Sequence, residues 1–134
     1  MQLEKLAVEV WGYQPDKCVL GTSTAKRLFG PAQITNAAAT KYTVPASTKT
    51  ILRHIHVENP SAAAVGFTMS IGADAAGTRL YSAYSIPAAA AGQPASVLDI
   101  FCYYVLDAAE IIQAFGSTTN ILVLTLDGTE LTPG

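Results

Sequence analysis

The feature that most limits what this chain can fold into is its punctuation. Segments with a two-residue hydrophobic period recur at short intervals, each stopped by proline, glycine or an asparagine turn. No stretch sustains the 3.6-residue period of a long amphipathic helix. The clearest segment sets Val65, Phe67, Met69 and Ile71 against Gly66, Thr68 and Ser70. Such a strand buries one face and leaves the other polar. Lys49 to Asn59 reads as a long strand, with Ile51, Arg53, Ile55 and Val57 on one face and Leu52, His54, His56 and Glu58 on the other. Further strands are predicted over 32–35, 40–44, 79–86, 96–106 and 111–115, with 121–128 and 129–131 closing the chain. Ser96 to Leu106 is apolar on both faces, which predicts that both are covered. "PAAAAGQPA" is rich in helix-favouring alanine, but Pro87, Gly92 and Pro94 break it into a loop. Without helices, the inner faces of two sheets have to cover each other. The expectation is an all-β antiparallel β-sandwich, jelly-roll-like, with Ile51, Ile55, Val57, Phe67, Met69 and Ile71 in its core.

Residues 1–25 stand apart from the sandwich domain, 26–134. Leu6, Val8 and Val10 alternate as in a strand, "GYQPD" turns, and a mildly basic stretch follows. Trp11, Tyr13, Val19 and Leu20 are apolar side chains in a segment too short for a core of its own. They are candidates for subunit contact. The segment is either an N-terminal arm docked on a neighbouring copy or an extra hairpin protecting an edge of its own sandwich.

The surface points the same way. The 134 residues suit one domain, and only 13% are charged where about 25% is usual. Alanine, threonine, serine and glycine must therefore form much of the exterior. Such a surface loses its water easily and favours permanent neighbours, hence a homo-oligomer. A net charge of -2 with no basic stripe argues against a nucleic-acid partner. The longest apolar run, Ile100 to Leu106, falls far short of the roughly 20 residues of a membrane span. The first residues lack the basic end and apolar stretch of a signal peptide, so synthesis in the cytoplasm is expected. Cys18 and Cys102 read as buried apolar fillers, with no metal-ligand spacing.

His54 and His56, two apart on one strand, point the same way, and two imidazoles on one face can bind zinc or copper. A site needs a third ligand and usually a fourth. Glu58 continues the face, but no cysteine or aspartate cluster accompanies the pair. They are therefore read as a polar strand face, with no metal and no cofactor. Asp99 alternates with Val97 and Phe101; it is either buried and paired, with Arg53 as a partner, or an edge residue in water. Neither a nucleophile elbow, a phosphate-binding loop nor a dinucleotide fingerprint is present, and no catalytic residue is assigned. Tyr42, Tyr81, Tyr84, Tyr103 and Tyr104 form either a carbohydrate-binding or interface surface, or core and rim packing.

Several turns carry a resemblance. Tyr42 to Pro45 is a Tyr-Thr-Val-Pro step, Val57 to Asn59 ends a strand in an asparagine turn, and Ser70 to Gly72 ends one in glycine. Ser85 to Ala88, Leu106 to Ile111 and Gly128 to Glu130 follow. Over residues 26–131 this plan resembles small β-sandwich virion structural proteins of tailed bacteriophages. The chain departs from it at Ala109, where that plan often has glycine, and residues 1–25 lie outside it. The resemblance implies a structural accessory protein on the virion exterior, made in the host cytoplasm and partnered by other virion proteins. A minor tail protein is the first expectation, a capsid decoration protein the alternative. A host-glycan-binding module reading sugar through Tyr81, Tyr84 or the loops is a third. The motifs are turns and core positions, so they specify a fold more closely than a function.

Overall fold

The computed structural model describes residues 21–133, and the first twenty residues, with Trp11, Tyr13, Cys18, Val19 and Leu20, lie outside them. Eight strands follow in order: β1 (Thr22–Gln33), β2 (Ala39–Thr43), β3 (Lys49–Asn59), β4 (Val65–Ile71), β5 (Arg79–Ile86), β6 (Ser96–Leu106), β7 (Ile111–Gly116) and β8 (Val123–Thr132). The alanine-rich segment between β5 and β6 is a loop.

All pairings are antiparallel. β1 pairs with β8, β2 with β7, β3 with β6, and β4 with β5, as if the chain were one long hairpin bent between β4 and β5. Wrapping that hairpin on itself adds the β3–β8 and β4–β7 pairs. The result is two four-stranded sheets, β1-β8-β3-β6 and β2-β7-β4-β5. This is the strand order of a jelly roll, the two-sheet arrangement in which an antiparallel chain covers its own core.

The core lies between the sheets. Leu52, Ile55, Val57, Leu124 and Leu126 come from one sheet, and Phe67, Met69, Ile112 and Ala114 from the other, all fully buried. Ile71 is half-buried and packs on this cluster. Ile51, expected with Ile55 and Val57, is buried but outside the cluster, and Leu52 is the core residue instead. The reason is a register shift between Leu52 and His54 in both pairings of β3. A bulge adds one residue and reverses the alternation beyond it, so Leu52 and Ile55 share a face although their spacing is odd.

β1 starts at Thr22, so residues 22–25, grouped in the sequence with the arm, pair with β8 inside the sandwich. The sequence hid this strand because its first six residues are all exposed and carry no apolar alternation. β8 runs unbroken through Gly128, where the sequence reading placed a stop. A side chain there would meet the Ile51 carbonyl oxygen, so only glycine lets β8 approach the bulge of β3.

Candidate functional site

Among the described residues β6 is an edge strand, hydrogen-bonded to β3 alone. Its inward residues Leu98, Ile100 and Cys102 pack on the core, and burial pushes the Cys102 thiol up. Its outward residues do not find the cover that the sequence predicted. Among the described residues Phe101 is 79% exposed, Tyr103 65%, Val105 54% and Val97 53%. Tyr104 and Tyr84 continue the apolar surface round the seam between β6 and β5. Tyr81 sits within that seam; burial raises its phenol pKa, with Tyr104, Cys102 and Tyr84 adding to the effect. Arg53 lies 5.9 Å over the ring of Tyr103. An edge strand whose outer face is mostly apolar and aromatic, with Asp99 its one charged side chain, is a template for association.

The register of the sheet builds a second feature on the same face. On the central strand β3, His54 lies opposite Phe101 on β6 and Asp127 on β8, and His56 lies opposite Asp99 on β6 and Thr125 on β8. Nε2 of His54 contacts Oδ1 of Asp99, and Nδ1 of His56 reaches the same oxygen at 3.1 Å. His54 also stacks on Phe101, with ring centroids 4.5 Å apart and planes 5° from parallel. Its Nδ1 faces Oδ2 of Asp127 at 3.4 Å. Asp127 is in turn 3.6 Å from Arg27. Hydrogen bonds from His54 first and His56 second hold the Asp99 carboxyl below its ordinary pKa. Asp99 is thus exposed and paired, but with the histidines rather than with Arg53. The spacing of the pair supplies no third ligand, but the fold delivers one from β6, and ligand atoms of His54, His56 and Asp99 lie within 4.8 Å of one another.

The remaining tyrosine and the turn motifs are scaffold. Tyr42 is buried, and its hydroxyl bonds Thr50 at 2.8 Å and donates to Glu130. Burial and that carboxylate push the Tyr42 phenol up to about 12. A cavity of about 770 Å³ opens beside Gly21, Ser47, Lys49, Asp107 and Leu131. Its charged side chains, Lys49 and Asp107, are bound to each other at 2.6 Å, and its lining holds no histidine to activate a serine.

Among the described residues, fold and surface define the class: an eight-stranded antiparallel jelly roll with an exposed apolar edge face and a histidine–aspartate cluster on it. No family model and no curated protein matches the sequence. Among solved structures, the chain is similar to one in the structure of infectious bursal disease virus, Gx strain, at 8% identity and a TM-score of 0.46, over 85% of this chain and 32% of that one. A chain of the Gt strain of the same virus is similar at 10% identity and a TM-score of 0.29, over 85% of this chain and 30% of that one. The chain therefore spans about a third of the length of the solved chains it matches.

Proposed function

We propose that this chain is a virion structural protein of a tailed bacteriophage, assembled in several copies through the outer face of β6. The observation that carries the assembly is the row Val97, Phe101, Tyr103 and Val105, exposed on a strand whose inner face is already packed. The partner is a second copy of this chain. With a net charge of -2, like faces meet with little repulsion. An aromatic side chain buries about 150–250 Å² when fully covered, so the exposed fractions on two copies offer on the order of 1,000 Å² in total. That is near the lower bound for a specific interface.

The virion assignment rests on the sequence resemblance over residues 26–131. A tail-associated position is the first reading, and capsid decoration the second. A glycan-binding module is disfavoured by one observation. Tyr84, Phe101, Tyr103 and Tyr104 stand on strands rather than gathering on a loop face.

Sedimentation of the untagged protein tests the interface. The wild type is expected to form oligomers, and the Phe101→Asp, Tyr103→Asp double variant to be monomeric while still unfolding cooperatively. A wild type that stays monomeric up to its solubility limit overturns the self-association. Mass spectrometry of purified virions tests the location. A ring-like copy number supports the tail, copies in the hundreds support the capsid, and absence from the virion sinks the structural role.

A further inference from the structure

We propose that His54, His56 and Asp99 form a binding site for a divalent transition metal on the outer face of β3 and β6. The three ligand atoms lie within 4.8 Å of one another, the spread that a single small cation can bridge. Two imidazole nitrogens and one carboxylate oxygen are a borderline donor set. It suits zinc, copper, nickel or iron, and is a poor match for calcium or magnesium, which prefer oxygen throughout.

The surroundings of His54 are what distinguish this cluster from scattered surface charges. A metal-bound histidine ordinarily turns its second ring nitrogen to a carboxylate, which fixes its tautomer and orientation. His54 directs Nε2 to the Asp99 side and Nδ1 to Oδ2 of Asp127 at 3.4 Å. Arg27 approaches that aspartate from β1 at 3.6 Å. Phe101 covers one face of the ring. The ring is therefore held on three sides before any ion arrives. Both histidines stand on the central strand, whose backbone is paired on both edges. His54, His56 and Asp99 are partly open to solvent, so water can fill the remaining coordination positions. The site shares Phe101 with the proposed assembly face, but the two readings fail by different measurements.

The test uses untagged, full-length protein stripped by a chelator and titrated with Zn²⁺ alone near neutral pH, followed by calorimetry. Co²⁺ absorption reports the ligand set. The expected result is one tight Zn²⁺ per chain. Binding should be lost in the His54→Ala, His56→Ala double variant and weakened at least about tenfold in Asp99→Asn, a near-isosteric change. Asp127→Asn should weaken binding by roughly 10–100-fold, the usual effect of removing an outer-shell partner, while leaving the stoichiometry intact. Melting of the metal-free variants checks that each remains folded. Zn²⁺ binding to the wild type no tighter than to the double variant overturns the site. So does binding that is indifferent to Asp99→Asn in a folded protein.

Discussion

Asn59 shows how a residue legible as a turn becomes a fastening. It is fully buried at the end of β3. Its amide nitrogen lies within hydrogen-bonding distance of the carbonyls of Ala63 at 2.9 Å and of Ile86 and Pro87 at 3.0 Å. Its carbonyl oxygen accepts from the backbone and hydroxyl of Ser61. One side chain thus ties the end of β3 to the end of β5. Asn59→Ala leaves buried carbonyls without a donor, and is expected to cost about 3 kcal/mol in denaturant unfolding. A loss within about 0.5 kcal/mol, the range of ordinary surface changes, would show that water replaces the amide.

Glu130 makes a prediction about pH. It accepts from the Tyr42 hydroxyl and from Lys26 at 3.2 Å, and its side chain is only 13% exposed. Hydrogen bonding to Tyr42, opposed by burial and helped by Lys26, holds its pKa below the ordinary 4.5. A carboxyl depressed in the folded state stabilises the fold fully above its unfolded pKa. That contribution fades as the pH falls below about 4.5 and through the folded value. The melting temperature of wild type should therefore fall more steeply than that of Glu130→Gln in this acid window. Parallel curves would remove Glu130 from the account.

At the scale of elements, the turn between β6 and β7 holds Ala109, where the plan that residues 26–131 resemble often has glycine. Ala109 adopts φ 69°, the left-handed region that favours glycine. The turn is closed by the Glu110 amide on the Asp107 carbonyl at 3.1 Å, and the Ala109 amide donates to the Val44 carbonyl, extending the β2–β7 ladder. A positive φ at the third turn position is the demand of a type II turn. The left-handed conformation costs an L-residue about 1–2 kcal/mol, whereas glycine gives back part of that gain as unfolded-state entropy. Ala109→Gly should stabilise the domain by up to about 1 kcal/mol, measured by thermal or urea unfolding. Destabilisation would mean that the alanine methyl packs usefully.

The same scale shows what the sequence could and could not reveal. β3, β5 and β6 are bounded as their alternation and flanking turns indicate, because proline, glycine and asparagine act locally. The bulge at Leu52–His54 was invisible, since it depends on how Gly128 of a distant strand fits against Ile51. The histidine pair was legible as a same-face pair from its spacing. Its third partner was not: Asp99 is 43 residues from His56 and arrives only through the β3–β6 register. The outward apolar residues of β6 were legible too, but their exposure was not, because a sequence does not say which chain supplies the cover.

For the whole molecule the question is what residues 1–20 add to the sandwich that the described residues form from Thr22 onward. Among the described residues, eight strands in two sheets run from Thr22 onward. β1, where they join, lies at the opposite edge of its sheet from β6. Strands lie about 4.8 Å apart, so that width is small beside the reach of twenty residues at about 3.3 Å each. The segment can therefore serve a neighbour or bend back over its own β6 face. Deletion of residues 2–20 separates the two. If the segment is an anchor on another subunit, the shortened chain unfolds cooperatively at an unchanged temperature but no longer enters the virion. If it covers β6 in its own chain, deletion bares Phe101 and Tyr103, and dye binding and self-association rise. The first outcome is expected, because Trp11, Tyr13, Val19 and Leu20 would each gain roughly 1.5–3 kcal/mol on full burial while the sandwich core is already filled by its own residues. Normal incorporation of the shortened chain would show that β6 alone makes the contact.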